Sequence, residues 1–381
     1  MYLRAFEYSQ NLGQVDEWHL GRFEVPQVTL VVGQNATGKT RCLNVIKALA
    51  QLFLQQRQIG NGHWVTEFED GDRRLSYEVQ IEDSRVLKET LSADGELLLS
   101  RDAEGSGTIC SRDLGQDLKL GLSPEQVAAV VKRDRVHHPF LEPLATWAEG
   151  VRHYLFGERM GRTTLLVVSP DEGPELDLTN ADHVAAVFRR ATEKHGDDYK
   201  AAVLEDMSIV GYNLEDIEVG PLEGLKLSQP VPGKVEGFRL KEADLVHPVQ
   251  HHSISAGMFR ALSLVVHINY ALRDQSASCI LIDDIGEGLD YERSSNLIKL
   301  LVDRVEHSNL QLVMSTNDRF VMNAVSLDKW AILTRDGIDC RVMTKTTHPK
   351  EFEDFEFTGL SNFDFLASEF WKKALAEEKS V

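Results

Sequence analysis

Only four cysteines occur in 381 residues, at positions 42, 110, 279 and 340, with no C-x-x-C spacing. A disulfide framework and a zinc knuckle are both excluded by that scarcity, and reduced thiols are expected. There is no run of about eighteen apolar residues, and residues 1–10 (MYLRAFEYSQ) lack the basic start and apolar stretch of a signal peptide. A cytoplasmic protein without membrane contact is the expectation. Basic residues are also few, 41 Lys plus Arg against 60 Asp plus Glu, for a formal net charge of −19. Such a surplus of carboxylates repels nucleic acid at long range, so any contact with it would need a local basic groove. Sustained a/d heptads are missing as well, which argues against the long coiled coils of chromosome-organising or double-strand-break proteins. What is present is ordinary globular composition, with 42% apolar residues. The length suits two domains, or one core with a large insertion.

The pattern along the chain is α/β. Residues 2–8 and 27–32 (QVTLVV) are rich in strand formers, and the second run ends at Gly33. From 40 to about 57, Leu43, Ile46, Leu49, Ala50 and Phe53 recur three and four apart, one face of a helix. Between 64 and 109 the residues alternate in short stretches, and Asp-Gly at 70–71 and 94–95 predicts tight hairpins in an antiparallel region. A more helical section is expected from Ser123 (SPEQVAAVVKR) through Trp147 to Arg162 and again over 182–195. Glycines and prolines over 220–237 predict turns or a flexible connection. Helix and strand then alternate over 257–272, 278–282, 292–305 and 310–314, the order of a parallel α/β sheet.

Residues 33–40 (GQNATGKT) fit G-x-x-x-x-G-K-[ST] without a mismatch, between the predicted strand and the predicted helix. Gly33, Asn35, Gly38, Lys39 and Thr40 are therefore candidate contacts for ATP. The glycines let the backbone wrap phosphate, Lys39 reaches the β- and γ-phosphates, and the Thr40 hydroxyl suits Mg²⁺. A second acid near the metal is needed, and SCILIDD at 278–284 supplies an apolar strand ending in Asp283 and Asp284. Asp283 is the candidate metal ligand and Asp284 the candidate general base. Taken alone, that segment also reads as a buried strand with an acidic turn.

Upstream lies ISAGMFR at 254–260, which by itself reads as a serine helix cap with a nearby glycine. In the order P-loop, 254–260, 278–284 it resembles the signature motif of ABC-type ATPases, with Ser255 and Gly257 on the key positions and Ala256 and Met258 departing from the transporter form. DIGEGLD at 284–290 then matches the segment that ends in a D-loop aspartate, Asp290. The whole resembles the ABC-like AAA ATPases grouped with the RecF, OLD and AbiEii-like families. That resemblance implies an ABC-type head built from residues 1–115 and 245–345, with an antiparallel β-region, a mostly helical or mixed insertion over 116–244, and a tail over 346–381. It also implies a head-to-tail dimer in which Ser255 and Gly257 meet ATP held by the other subunit.

Two departures follow from the same resemblance. The family base is usually glutamate and here is Asp284. The switch histidine is replaced by Asn317, which hydrogen-bonds phosphate but exchanges no proton at neutral pH. Slow hydrolysis is the expectation. Only 64 residues follow Asn317, too few for the Toprim nuclease domain of OLD-type enzymes. A separate effector, a nuclease or toxin, is therefore expected, in anti-phage defence or a toxin system. DNA maintenance and an ATP-locked scaffold are the alternatives.

Other residues attract notice and are read conservatively. Gln80, Gln116 and Tyr8 are candidates for Q-loop and adenine contacts but read first as ordinary strand or loop residues. His137-His138 and His251-His252 read as surface residues or a pocket rim. Arg152, Arg159 and Arg162 read as a solvated helix face, and the aromatics after Phe352 as packing.

Overall fold

The computed structural model describes residues 1–55, 60–158, 160–168, 177, 180–223, 231 and 233–371. Arg159, the end of the first predicted helix at Arg57, the middle of the 220–237 connection and the last ten residues of the tail lie outside the described residues. The chain divides into two compact units, one of Met1–Val151, Gln311–Asn317 and Ser326–Val381, the other of Arg152–Leu310 and Asp318–Val325.

The first unit is organised on a sheet. Its parallel part places Val28–Val32 between Gln311–Ser315 and Trp330–Asp336, and all five residues of Val28–Val32 are buried. Continuous apolar runs are what strands covered on both faces require. Beyond Trp330–Asp336 the order continues through Asp339–Met343, Trp18–Glu24 and Tyr2–Gln10 into a meander of six antiparallel strands from Gly62–Asp70 to Gln116–Gly121. Burial alternates along this meander, as in the BiBiBiBii pattern of Gly62–Asp70, so one face is covered and the other meets solvent. The predicted turn at Asp94-Gly95 is present with both φ positive, 51° and 86°. Asp83-Ser84, with φ 48° and 62°, makes a second loop of that kind.

Helix Lys39–Phe53 packs on the meander. Phe53 meets Tyr77 at 5.1 Å, and the Trp64 indole N–H donates to the Val45 carbonyl at 3.3 Å. Of the helix expected over 123–133, only Ala128–Val131 forms. Its start is held by Glu89, which is fully buried and accepts from the Ala128 and Ala129 N–H groups and from the Tyr77 hydroxyl. Burial raises the Glu89 carboxyl's pKa. Near the carboxyl end, Phe352, Phe355 and Phe365 pack at 4.7–4.8 Å, whereas Phe357 is 90% exposed.

In the second unit, Cys279–Asp283 is a wholly buried strand. Residues 151–162 do not continue a helix as expected. Val151–Leu155 (VRHYL) is a strand beside Cys279–Asp283, and its Arg152 is buried and donates to the Ser276 carbonyl at 3.0 Å. Arg152 and Tyr154 thus belong to the interior of a strand rather than to the solvated helix face expected for Arg152. The region expected to be mostly helical holds helices Val184–His195 and Asp197–Val210 together with strands Leu166–Val168, Leu214–Pro221 and Lys234–Glu242. Gly220 and Gly237, expected in turns, pair with each other across the last two strands. The long helices are joined by polar bonds in the interior: the Tyr199 hydroxyl donates to the Val266 carbonyl at 2.8 Å, and buried Asp206 accepts from Asn269 and Arg304.

Candidate functional site

The candidate nucleotide loop, residues 33–40, is built from the strand Val28–Val32 upward. A β-carbon at Gly33 would lie 2.6 Å from the Leu333 carbonyl oxygen and 2.8 Å from the Thr37 hydroxyl, so the turn needs glycine. Gly38, at φ 106°, then leads into helix Lys39–Phe53. Lys39 is 7% exposed, and its ammonium donates to the carbonyls of Gly33 at 2.8 Å and Gln34 at 3.2 Å. The Thr37 hydroxyl also donates to the Gln34 carbonyl, and the carbonyls of Ala36 and Thr37 accept from Arg335 and from the Cys340 thiol. The helix has no side-chain cap at its start and no acidic residue in its first turn. Its N-terminal partial charge is therefore not offset locally, which is the electrostatic condition for holding an anion. Asn35 and Thr40 are exposed beside it.

Trp18 lies beneath this loop, 3.3 Å from where a Gly38 β-carbon would be, and Arg41 stacks on it at 4.3 Å. Tyr8 joins the same aromatic cluster, 4.8 Å from Trp64, with its hydroxyl donating to Gln10 and Asn61. Burial pushes its phenol up to about 12. Gln80 bonds Glu82, and Gln116 begins an exposed strand. Ser315 is in register with Val31, and the Thr316 N–H donates to the Val31 carbonyl at 3.3 Å. Exposed Asn317 consequently leaves the sheet at the same strand ends as Gly33. Candidate ligands from two distant parts of the sequence meet in the first unit.

The second unit gathers the remaining candidates. Asp283 is 4% exposed at the end of its strand, and its carbonyl accepts from the Phe156 N–H at 3.0 Å. Asp284 has φ 53°, a left-handed conformation that aspartate tolerates better than most residues. Gly286 and Gly288 repeat the positive φ, at 94° and 78°, so the chain between Asp283 and Asp290 is a tightly folded loop. Exposed Asp290 ends it by capping helix Tyr291–Glu306: its carboxylate accepts from the Arg293 N–H at 3.0 Å and pairs with the Arg293 guanidinium. These hydrogen bonds lower the Asp290 pKa.

Ser255 caps helix Ala256–Asp274, its hydroxyl accepting from the Met258 N–H at 3.3 Å, and this helix too has no acid in its first turn. A β-carbon on Gly257 would lie 3.1 Å from the Gly288 carbonyl oxygen, so the signature glycine packs directly on the loop that follows Asp283. One turn further on, Arg260 donates to the carbonyls of Gly157, Glu158 and Glu287 at 2.9–3.1 Å. Sequence reasoning passed over Arg260, although its place one turn after Gly257 on the same face was visible.

His251 also differs from expectation. It is 1% exposed, accepts from the Phe238 N–H through Nδ1 and donates through Nε2 to the Arg162 carbonyl, while Arg162 donates to the Ile254 carbonyl. The approach to Ser255 is thereby fixed from behind, and burial lowers the His251 pKa. His138 is buried against the Cys110 carbonyl, whereas His137 is half-buried and His252 exposed. Among the described residues no group of His, Cys, Asp or Glu forms a ready metal cluster, and no helix is long and apolar enough to cross a membrane.

No protein-family model matches the chain, and no curated protein matches it. Among solved structures it is similar to an SMC head bound to the C-winged helix domain of ScpA, with 13% identity over 90% of this chain and 97% of that one and a TM-score of 0.53. It also matches the SMC head domain from Thermotoga maritima (13% identity, 90% and 99% coverage, TM-score 0.44). A third match is the Smc head domain with an extended coiled coil bound to the C-terminal domain of ScpA derived from Pyrococcus furiosus (10% identity, 93% and 99% coverage, TM-score 0.49). The first of these shows the fold that the chain shares, that of an SMC head domain.

Proposed function

We propose that the protein is an ATP-binding, slowly hydrolysing ATPase of the RecF, OLD and AbiEii-like group that closes as a head-to-tail dimer on ATP and controls a separate effector, such as a nuclease or toxin, in anti-phage defence or a toxin system. The observation that carries the reading is the buried Lys39 ammonium, held by the Gly33 and Gln34 carbonyls at a helix start with neither cap nor carboxylate. With Mg·ATP bound, Lys39 faces the β- and γ-phosphates while Gly33, Asn35 and Gly38 present backbone to them. Thr40 and Asp283 would be the ligands of Mg²⁺, which would supply positive charge against the phosphates. Asp284 polarises the attacking water, and Asn317 contacts the γ-phosphate without taking a proton. Ser255, Gly257 and Asp290 act on the nucleotide of the second subunit. The exposure of Ser255 and Asp290, and the uncompensated positive end of the Ser255 helix, support that role.

Among the described residues the longest helix, Ala256–Asp274, has 19 residues, far short of a coiled-coil arm. An effector-controlling head is favoured by this over a chromosome organiser, and the net charge of −19 weighs against DNA as the main partner. The neighbour solved with a ScpA domain supports the idea that a head of this fold takes a separate protein partner. Asp284 and Asn317 favour a second reading, an ATP-locked scaffold with almost no turnover. Nucleotide binding and phosphate release by the purified protein, with and without DNA, separate the readings. Tight Mg·ATP binding with turnover below about 1 s⁻¹, the low end for enzymes, and no response to DNA is expected. Absence of ATP binding would overturn the proposal.

A further inference from the structure

A cavity of about 680 Å³ lies within the first unit, and none of residues 33–40 lines it. Thr29 does, near the start of the strand whose other end feeds Gly33. The floor is apolar, with Val25, Phe68, Leu75 and Trp330 among the lining residues. Three ion pairs in the wall, Arg4–Glu69 at 2.9 Å, Arg22–Glu67 at 2.7 Å and Lys329–Asp328 at 3.4 Å, cancel one another's charge. One carboxylate, Glu24, and one guanidinium, Arg74, remain. Among the described residues neither side chain is in an ion pair or a side-chain hydrogen bond, although Arg22 lies within electrostatic reach of Glu24, and Glu67 and Glu69 within reach of Arg74.

The Thr29 hydroxyl is an independent mark of a ligand. The residue is 1% exposed, and its Oγ1 has no hydrogen-bond partner among the described residues. Valine would fill the same space in a central strand without burying a hydroxyl, whose desolvation has to be offset by a partner. Thr29 is among the residues that line the cavity, so a ligand held there lies beside it and reaches the hydroxyl by a small shift of the wall.

We infer that the cavity binds a small zwitterion with an apolar body, an apolar amino acid or a short peptide. A molecule of one charge sign would complement one of Glu24 and Arg74 and meet the other with like charge. A zwitterion satisfies both, its carboxylate on Arg74 and its ammonium on Glu24. Its apolar side chain covers Phe68, Leu75 and Trp330, and a polar atom meets the Thr29 hydroxyl. The volume falls in the range of small-molecule sites.

Calorimetric titration of the full chain tests this with L-leucine, L-phenylalanine and the dipeptides Leu-Leu and Phe-Leu, and with N-acetyl-leucine amide as a control lacking both charges. At least one zwitterion binds with a Kd below about 1 mM, and tighter binding of dipeptides than of free amino acids identifies a peptide as the source. The blocked control binds at least tenfold more weakly. Arg74→Gln and Glu24→Gln, both accessible to solvent, each weaken binding at least tenfold, and Thr29→Val weakens it about fivefold, with ATP affinity unchanged in all three. Failure of all four zwitterions to bind in that range, equal binding of the blocked control, or wild-type affinity in both Arg74→Gln and Glu24→Gln would overturn the inference. Wild-type affinity in Thr29→Val would show that the hydroxyl meets only water and would remove the second leg of the argument.

Discussion

Arg260 donates from Nη1 to the carbonyl oxygen of Glu287 at 2.9 Å, tying the helix that Ser255 caps to the loop between Asp284 and Asp290. Its other two bonds reach Gly157 and Glu158, just beyond the strand beside Cys279–Asp283. One guanidinium thus connects the signature helix, the proposed base and the proposed D-loop of the same subunit. Arg260→Ala should lower ATP turnover about tenfold, equivalent to about 1.4 kcal/mol of transition-state stabilisation, and leave ATP affinity within about threefold of wild type. Arg260→Lys should recover part of the loss, since an ammonium keeps the charge without the planar fork. Comparison of kcat with nucleotide Kd in the two variants checks the assignment.

Lys39→Ala removes the cation facing the phosphates. ATP affinity should fall by about 100-fold, the loss expected for a charge-assisted contact of about 3 kcal/mol. Fluorescent-nucleotide titration measures it, and unchanged affinity would refute the P-loop assignment.

Asp284→Ala should reduce turnover about 100-fold or more with ATP still bound, in line with the usual contribution of a positioned base. Asn317→His should raise turnover if proton handling is what the switch position lacks. Single-turnover phosphate release distinguishes the two, and a wild-type rate in Asp284→Ala would move the catalytic role elsewhere.

Buried histidines set the acid limit of stability. His267, 4% exposed, donates to the Ala181 carbonyl, and burial lowers its pKa to about 4; His251 is lowered in the same direction. Because both titrate lower in the folded than in the unfolded state, the unfolded chain takes up more protons below its ordinary pKa of about 6.5. Stability is therefore unaffected by these groups above about pH 7 and falls as pH drops from about 6.5 toward about 4, by about 3 kcal/mol for His267. Urea unfolding at pH 7.5, 6 and 5 should show the decline, and His267→Gln should flatten it.

The parts of the site carried by adjacent residues were legible in the sequence. The glycine-requiring turn at Gly33, which the proposed phosphate loop begins with, and the Asp94-Gly95 hairpin could be read from adjacent residues because turn geometry is a local matter. Asp83-Ser84 forms a similar loop without a glycine and left no such mark. The strand Val151–Leu155 was hidden by helix formers on either side, since its pairing comes from tertiary context. Arg260, His251 and Arg152 gain their meaning from carbonyls that come within reach only when the chain folds. No local spacing encodes such contacts.

The central claim is that Ser255 and Gly257 of one subunit complete the site of Lys39 on the other. Its most direct measurement mixes equal amounts of Lys39→Ala and Ser255→Arg proteins, each inactive alone, and follows ATP hydrolysis. Half of the dimers are then mixed, and each retains one intact composite site of its two. About a quarter of wild-type activity should be recovered, as twofold symmetry requires when sites work independently. No recovery on mixing, together with wild-type hydrolysis by Ser255→Arg alone, would contradict it.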